Sequence, residues 1–313
     1  MSKKIATREA YGAALVELGR QNPNVVVLDA DLAKSTKTAD FGKEFPQRFF
    51  DMGIAEQNVM GTAAGLAAAG KVPFASSFAV FATGRVYDQI RNSIAYPRLN
   101  VKIAATHAGI TVGEDGASHQ MVEDIALMRV LPNMTVIVPA DAVETRAAVM
   151  AAAEMDGPVY IRLGRSGVPV LHEESTFRFE PGRAVTLREG SDVTVIACGI
   201  MVTAALEAAD QLADEGISVR VLDVHTIKPL DVQAVVEAAQ VTGAVVTAEE
   251  HSIIGGLGGA VAEALAENHP VPMRRVGVRD TFGESGKPAE LLEKYGLTPA
   301  DITLAIHEVL KVK

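Results

Sequence analysis

The chain alternates short runs of β-branched residues with helical patterns almost from end to end, and this alternation restricts the fold more than any other feature. The runs are apolar along most of their length, which is typical of strands buried on both faces of a parallel sheet. The segments between them place apolar residues three and four positions apart, as amphipathic helices do. The predicted strands are 25–29, 49–52, 72–76, 101–106, 135–138, 159–163, 193–197, 218–223, 244–248 and 273–278, and the predicted helices are 8–19, 56–69, 85–94, 122–130, 143–154, 203–213 and 258–267. This order predicts an α/β fold.

The alternation breaks once, near the middle of the chain. The segment after the sixth predicted strand is rich in glycine, proline and mixed charges, which is typical of a linker. A chain of 313 residues is long enough for two domains of roughly 150 residues each. We therefore predict two doubly wound α/β domains, at 1–170 and 191–313, joined by a linker at 171–190.

Charge and hydropathy exclude several classes of protein. Lys plus Arg number 29 and Asp plus Glu number 39, and the net charge of −10 without a basic stripe argues against nucleic-acid binding. No apolar run approaches the roughly 20 residues of a membrane helix, and no apolar core of a secretion signal follows the N-terminal lysines. The single cysteine, Cys198, cannot form an internal disulfide, which favours a cytoplasmic protein.

The loops after the predicted strands of the first domain carry most of the residues suited to chemistry. Glu56 opens a helix whose next turns are rich in Ala and Gly, so it is either a first-turn residue favoured by the helix dipole or a carboxyl that carries a proton in a small pocket. Phe78 and Phe81 follow another strand, where they either pack in the core or present a ring face to a flat heterocycle.

The loop 106–120 combines His107, Asp115 and His119 with several glycines, a density that a plain connection does not need. Its spacing matches no standard metal-ligand pattern, and we predict no metal ligand in this chain. Arg8 and Arg165 are scattered charges unless the fold gathers them with His107, in which case they form a phosphate clamp. The glycines at 255–259 fail the dinucleotide fingerprint, and close helix packing explains them as well.

Short motifs follow one another in a fixed order along nearly the whole chain. They are Ile5-Ala-Thr-Arg8, Asp31-Leu-Ala-Lys-Ser35, Gly53-Ile-Ala-Glu56, Ser77-Phe-Ala-Val-Phe81, Thr106-His107, Gly113-Glu-Asp-Gly116 with Ser118-His-Gln120, Leu131-Pro-Asn-Met134, Leu163-Gly-Arg165, and Thr281-Phe-Gly-Glu-Ser285 with Pro288-Ala-Glu-Leu-Leu292. In this order they resemble the pyrimidine-binding and C-terminal domains of transketolase, a thiamine-diphosphate enzyme.

The resemblance implies a role for each matching residue. Glu56 would bond the pyrimidine nitrogen of thiamine diphosphate, and Phe81, with Phe78 beside it, would stack on the pyrimidine ring. Asp31 and Ile54 would also contact the cofactor, and His119 would take part in catalysis together with Glu56. The remaining implied roles concern the sugar substrate: His119 and Asp115 would meet its hydroxyls, and Arg8, Ser35, His107 and Arg165 would hold its distal phosphate.

One part of the family pattern is missing. Full-length transketolases bind the diphosphate through a divalent ion and a Gly-Asp-Gly motif in an N-terminal domain, and this chain contains no Gly-Asp-Gly. The resemblance therefore implies the C-terminal subunit of a split transketolase of the pentose phosphate pathway, which transfers a ketol unit between sugar phosphates. It would need an N-terminal partner subunit that holds most of the Mg²⁺ or Ca²⁺ site, and the expected assembly is a heterotetramer with two copies of each chain.

Three alternatives remain open at this stage. Gly53-Ile-Ala-Glu56-Gln is also close to deoxyxylulose-phosphate synthase, and the beta subunit of a two-oxoacid dehydrogenase shares the layout. A non-catalytic binding or regulatory protein on the same fold is the third. The stretch after Phe81 is one residue longer than the family pattern, so no role is assigned to Gly84 or Arg85.

Overall fold

The computed structural model describes residues 4–313. Its strands are β1 Lys4–Ala6, β2 Val25–Asp29, β3 Phe49–Asp51, β4 Val72–Phe78, β5 Lys102–Thr106, β6 Thr135–Ile137, β7 Val159–Arg162, β8 Gly167–Pro169, β9 Val185–Arg188, β10 Val193–Ala197, β11 Val219–Asp223, β12 Thr226–Lys228, β13 Val245–Ser252 and β14 Met273–Val278. Its helices are α1 Thr7–Gln21, α2 Ala33–Thr36, α3 Ala39–Glu44, α4 Glu56–Ala68, α5 Tyr87–Gln89, α6 Asp124–Arg129, α7 Ala142–Glu154, α8 Met201–Ala213, α9 Val232–Thr242, α10 Leu257–Asn268, α11 Pro288–Lys294 and α12 Pro299–Leu310.

The first half of the chain folds around a seven-stranded sheet in the order β12-β6-β7-β5-β4-β2-β3. All neighbours in it are parallel except β12 and β6. From β2 the chain moves outward to β3 and then returns to add β4 on the other side of β2. In open α/β sheets, ligands bind beyond the carboxyl ends of the strands at such a reversal of strand order. The loops after β2, β3, β4 and β5 converge there.

The second half forms a five-stranded sheet in the order β14-β13-β10-β11-β9, parallel apart from the edge strand β9. The central strand β10 is buried along its whole length, which explains its continuous apolar sequence. One apolar cluster crosses between the two halves and includes Met134, Ile196 and Leu222. Fully burying side chains of this kind contributes roughly 1.5–3 kcal/mol each. The two sheets therefore share part of their core.

Two features of the predicted boundary differ in the structure. The segment 171–190 includes strand β9, which pairs antiparallel with β11, so it is not a linker throughout. Strand β12, from the second half of the chain, pairs with β6 and extends the first sheet. Glycines and prolines near residue 180 do mark turns. Strand β9 has only four residues, and a strand that short shows too little alternation of apolar and polar residues to be predicted from the sequence.

The prediction of a regular helix at 85–94 is wrong in form. Only α5 is α-helical there, and the flanking segments Val80–Gly84 and Ile90–Ala95 make wider turns with hydrogen bonds to the fifth residue. The Thr83 hydroxyl donates to the Ala79 carbonyl at 2.6 Å, a bond that competes with regular helical pairing. These turns determine where Arg85 lies relative to Phe81.

None of the helices among residues 4–313 has the length and apolar character that a bilayer crossing requires.

Candidate active site

Glu56 begins α4 directly beyond β3, at the bottom of the convergent loops. The turn before it is held by the Asp51 carboxylate, which accepts a hydrogen bond from the Gly53 amide at 3.1 Å. Gly53 has φ of +68°, a conformation that suits glycine. Only 4% of Glu56 is exposed, and Arg85 Nη1 donates to its Oε1 at 2.8 Å. Glu56 is therefore both the first-turn residue of α4 and a buried carboxyl, and its role as a proton carrier remains a prediction.

Arg85 is a site residue to which the sequence assigned no role. Its guanidinium carbon lies 4.3 Å from the centroid of the Phe81 ring while the same group pairs with Glu56. The Arg85 side chain is 47% exposed, so water reaches it from one side. The carboxylate and the ring face that the resemblance assigns to a pyrimidine thus lie next to each other and share one cationic neighbour.

Four rings form a cluster beyond β4 and β5. Phe78 stacks on His107 with centroids 3.7 Å apart, and Phe78 and Phe81 lie nearly parallel at 6.2 Å. His119 meets Phe81 edge to face at 5.4 Å, and the Ser118 hydroxyl lies 3.0 Å from His119 Nδ1. Aromatic pairs in such arrangements are worth about 0.5–1.5 kcal/mol beyond their buried area. The cluster joins three predicted motifs in one wall.

His107 connects this wall to Arg8. Arg8 Nη1 lies 3.3 Å from His107 Nε2, and the Thr106 hydroxyl lies 2.8 Å from His107 Nδ1. Because a guanidinium only donates, Nε2 is the acceptor and Nδ1 carries the proton. Burial, with smaller effects from Arg8, Arg165 and His119, lowers the pKa of His107 to about 3. The ring is therefore neutral at pH 7, and the positive charge of the predicted clamp comes from its arginines.

Arg8 and Arg165 approach the same space from α1 and from the loop after β7. Arg8 Nη1 also donates to the Ser35 carbonyl at 2.9 Å, and burial lowers the pKa of Arg8 without removing its charge. Arg165 donates to the Val112 carbonyl and lies 3.7 Å from the carboxylate oxygens of Asp115 and Glu114. The structure thus brings together the residues predicted to bind the distal end of a substrate.

Asp31 and Ile54 lie at the outer side of these loops. Asp31 is exposed, with its amide donating to Asp51 at 3.0 Å, and Ile54 is 78% exposed. Neither is part of the ring cluster. An exposed isoleucine beside a buried carboxyl is a surface suited to cover by another molecule, so the predicted contact of both residues with a cofactor remains a prediction.

A buried ion pair fixes the second half of the chain behind the site. Arg162 Nε donates to Asp124 at 2.8 Å, Tyr160 donates to the same carboxylate at 2.6 Å, and Arg162 also reaches the Glu250 carbonyl. The Glu250 carboxylate accepts from the Thr111 amide at 2.7 Å. Breaking such a pair by removing one partner costs about 3–5 kcal/mol. These contacts hold the loop 106–120 against the second sheet.

The glycines at 255–259 have a packing explanation, as the sequence allowed. Glu249 accepts from the amides of Leu257 and Gly258 at 2.7 and 2.8 Å, which caps α10. A Cβ on Gly256 would lie 2.0 Å from the Glu249 carboxylate. Glycine is needed at 256 because this carboxylate approaches the backbone closely.

The residues present fit one end of thiamine diphosphate. A buried carboxyl next to parallel phenyl rings suits a flat heterocycle with ring nitrogens, and Ser77 Oγ is buried there without a hydrogen-bond partner among residues 4–313. Within the same described range, no group of three metal-ligating side chains lies at these loops. The chemistry of these residues suits the pyrimidine end of the cofactor, and their contact with it remains a prediction.

The sequence matches two family descriptions in succession. Residues 3–170 match "Transketolase, pyrimidine binding domain", and residues 182–302 match "Transketolase, C-terminal domain". Together they cover most of the chain, with the same order of domains as the structure.

Individual relatives agree with this match. A transketolase-like C-terminal section from Methanocaldococcus jannaschii is 53% identical over 97% of this chain and 96% of its own length. The 6-deoxy-6-sulfo-D-fructose transketolase subunit SqwH of Clostridium sp. is 50% identical over 98% and 95%. A solved structure described as a split gene transketolase, inactive beta4 tetramer, superposes with a TM-score of 0.93 at 65% identity and covers 99% of both chains.

The fold and the site thus define a thiamine-diphosphate enzyme, and the chain belongs to the transketolase family. Within that family it is the C-terminal section of a split transketolase, one subunit of a two-chain enzyme, which implies an N-terminal partner subunit. The pyrimidine-binding domain implies thiamine diphosphate as the cofactor. The fold class and the family predicted from the sequence are confirmed.

Proposed function

We propose that this subunit completes an enzyme that transfers a two-carbon ketol unit between ketose and aldose phosphates of the pentose phosphate pathway. The observation that carries the proposal is the convergence of a buried carboxyl, a ring wall and two arginines around one space. Glu56 and Phe81 lie on the side of Arg85, and Arg8 and Arg165 lie beyond His107. This layout suits a substrate that reacts at one end and carries an anion at the other.

At the reacting end, Glu56 Oε2, the carboxyl oxygen that does not accept from Arg85, would hydrogen-bond the pyrimidine nitrogen and share a proton with it. Thiamine diphosphate, when bound, supplies the electron sink for breaking and making a carbon–carbon bond beside a carbonyl. Phe81 and Phe78 would cover the pyrimidine, and Glu56, which is only 4% exposed, is shielded from bulk water. Asp31 and Ile54 would border the cofactor from the exposed side. A positioned proton-transfer group of this kind contributes about 10²–10⁴-fold to the rate.

Along the substrate, His119 and Asp115 would bind hydroxyls, and His119 would move a proton to or from a substrate oxygen. His119 already lies against Phe81, with the two ring centroids 5.4 Å apart. Asp115 lies 3.7 Å from Arg165, next to the arginine assigned to the anion. Two hydrogen-bonding side chains at this distance from the wall position the carbon chain for attack.

At the far end, Arg8 and Arg165 bind the phosphate, with Ser35 and His107 beside them. Guanidinium groups offer paired donors that match phosphate oxygens. His107, whose ring is neutral, accepts from Arg8 at Nε2 and so orients that guanidinium toward the phosphate. The relative SqwH is named for a sulfonated sugar, and a sulfonate offers the same oxygens with less charge. Phosphate is our choice for this chain because two guanidinium groups and an imidazole meet there.

The proposed assembly provides the residues for the diphosphate and its metal ion, which this chain is not expected to supply. We propose that the N-terminal partner subunit holds the diphosphate and its Mg²⁺ or Ca²⁺, and that two copies of each chain form the active heterotetramer. The related split gene transketolase is described as inactive as a beta4 tetramer, which supports the need for a partner. The buried free thiol of Cys198 fits the reducing cytoplasm that we propose as the location.

The test uses the assembled two-chain enzyme and three ketose donors: phosphorylated, sulfonated and unsubstituted at the distal carbon. We expect kcat/KM to be highest for the phosphorylated donor, and Arg8→Gln to lower that value by about 10–100-fold, the cost of one charged hydrogen bond, while leaving the unsubstituted donor nearly unchanged. An equal loss for all three donors would contradict the assignment of Arg8 to the anion. A clear preference for the sulfonated donor would assign a substrate like that of SqwH instead.

A further inference from the structure

A second group of titratable side chains lies buried where the two halves of the chain meet. It consists of Glu144 in the first turn of α7, His172 after β8, and Asp223 at the end of β11. Glu144 and Asp223 are fully buried, and His172 is 8% exposed. These residues belong to other elements than the loops of the active site, and the sequence did not single them out because they are far apart along the chain.

The polar atoms that point into this group have no hydrogen-bond partner within residues 4–313. One atom from each of the three side chains lies within 4.8 Å of the other two. Neither carboxylate oxygen of Asp223, nor Glu144 Oε1, nor His172 Nε2 makes a hydrogen bond in this part of the chain. Buried polar groups are normally hydrogen-bonded, and leaving one unsatisfied costs about 1–3 kcal/mol. Four such atoms in one place indicate that the group binds a ligand.

The atoms turned away from the group are, by contrast, held firmly. Glu144 Oε2 accepts from the Ala140 amide, which leaves Oε1 directed inward. Asp141 accepts from the amides of Glu144, Leu171 and His172, so its own oxygens are occupied. Its Oδ2 lies 3.2 Å from His172 Nδ1. This is the arrangement of metal-binding histidines, in which one ring nitrogen faces a carboxylate and the other is free for the ion.

Charge also favours a cation here. Two carboxyl groups lie close together in the interior, and within residues 4–313 no Lys or Arg side chain forms an ion pair with Glu144 or Asp223. A divalent cation would take both carboxylates as ligands.

We propose that Glu144, His172 and Asp223 bind a divalent transition-metal cation of the Zn²⁺ type at the junction of the two halves. His172 contributes Nε2, which already lies 3.8 Å from Asp223 Oδ2. Zn²⁺ binds nitrogen and oxygen ligands at about 2.0–2.2 Å, so two of its ligand atoms lie about 3.4 Å apart. Small side-chain rotations bring all three atoms to that spacing.

The ligand types select the metal. An imidazole nitrogen with two carboxylates suits Zn²⁺ or Mn²⁺, whereas Mg²⁺ and Ca²⁺ prefer oxygen ligands alone. The ion differs in this respect from the Mg²⁺ or Ca²⁺ that we assign to the partner subunit. Because its ligands come from α7, from the segment after β8 and from β11, the ion ties the two sheets together. Its role is structural.

The experiment measures metal content and thermal stability of the untagged full chain, stripped with chelator and then supplied with Zn²⁺, Mn²⁺ or Mg²⁺ alone. We expect one equivalent of Zn²⁺ per chain and a rise in Tm with Zn²⁺ but not with Mg²⁺. The variants Asp223→Asn and His172→Gln lower the Zn²⁺ affinity by at least about tenfold. Asp223→Asn replaces the carboxyl by an amide of the same shape, so the stripped variant should stay folded.

Glu207→Gln is the matched control, because Glu207 is an exposed acid on α8 away from this group; its binding and Tm should equal those of the wild type. The proposal is overturned if the wild type takes up no more Zn²⁺ than Asp223→Asn does, or if its Tm is the same with and without Zn²⁺. Neither readout depends on ketol transfer, so the result stands whatever the outcome of the activity experiments.

Discussion

Replacing Glu56 by Gln separates its chemical role from its structural one. The substitution keeps the shape of the side chain and an oxygen that can accept from Arg85, but removes the ability of the carboxyl group to take up and release a proton. Arg85 is 47% exposed, so loss of the charge in this ion pair costs only about 0–1 kcal/mol after solvent screening. In a chain of this size that corresponds to a fall in Tm of at most about 4 °C. The fold should therefore survive.

The effect on activity should be much larger. We expect ketol transfer by the assembled enzyme to fall at least about 100-fold, which corresponds to about 2.7 kcal/mol in the activation barrier. The assay is steady-state ketol transfer at saturating thiamine diphosphate, paired with a thermal melt of the same sample. Glu44→Gln is the matched control, because Glu44 forms a surface ion pair with Arg20 at 2.7 Å and lies outside the motifs of the site. The reasoning fails if Glu56→Gln keeps activity within tenfold, or if its Tm drops so far that the loss reflects unfolding.

Three further predictions concern the site and its support. Arg85→Gln should change the thiamine diphosphate affinity of the assembled enzyme by about tenfold or less, and kcat should also change by no more than about tenfold. The reason is that the Arg85 guanidinium contacts Glu56 and Phe81 but is half exposed. A loss of kcat as large as that of Glu56→Gln would give Arg85 a role in the chemistry. Gly109→Ala should destabilise the chain by more than about 2 kcal/mol in denaturant unfolding, since Gly109 has φ of +78° and a Cβ would lie 2.2 Å from the Glu250 carboxyl carbon. The control Gly70→Ala, at φ of +84° in open space, should cost only about 1 kcal/mol. Equal costs for the two variants would show that the contact with Glu250 is unimportant. Because the pKa of His107 is lowered to about 3, the unfolded chain binds a proton below about pH 6.5 that the folded chain does not. Stability is therefore lost as pH falls, by about 2 kcal/mol from this residue between about pH 7 and pH 5. Denaturant unfolding of wild type and His107→Asn at both pH values checks this, and an unchanged pH dependence in the variant would contradict it.

The strands and most helices could be predicted because they are long and periodic. The central strands β2, β5 and β10 are buried on both faces, and their apolar runs show it directly. Short strands that form only by pairing with a strand distant in sequence could not be predicted from their own residues. β9 and β12 have four and three residues and exist because a neighbouring strand offers free hydrogen-bonding groups. The same holds for the wide turns around Arg85.

The site shows the same division. Glu56, Phe78, His107 and Arg165 lie in loops after strands, and parallel topology brings such loops together, so their convergence could be expected. The neutral state of His107 could not, because it depends on burial against Phe78 and on the charge of Arg8. The groups around Arg162 and His172 were equally hidden, since each depends on contacts between residues from both halves of the chain.

The central claim is that this chain carries only the pyrimidine and substrate half of the cofactor site. The most direct measurement is thiamine-diphosphate-dependent ketol transfer by the purified chain, alone and with increasing amounts of an N-terminal section that contains the Gly-Asp-Gly motif. We predict no turnover by the chain alone and a linear gain that saturates at one N-terminal section per chain. Turnover by the chain alone, or none at any ratio, would contradict the account.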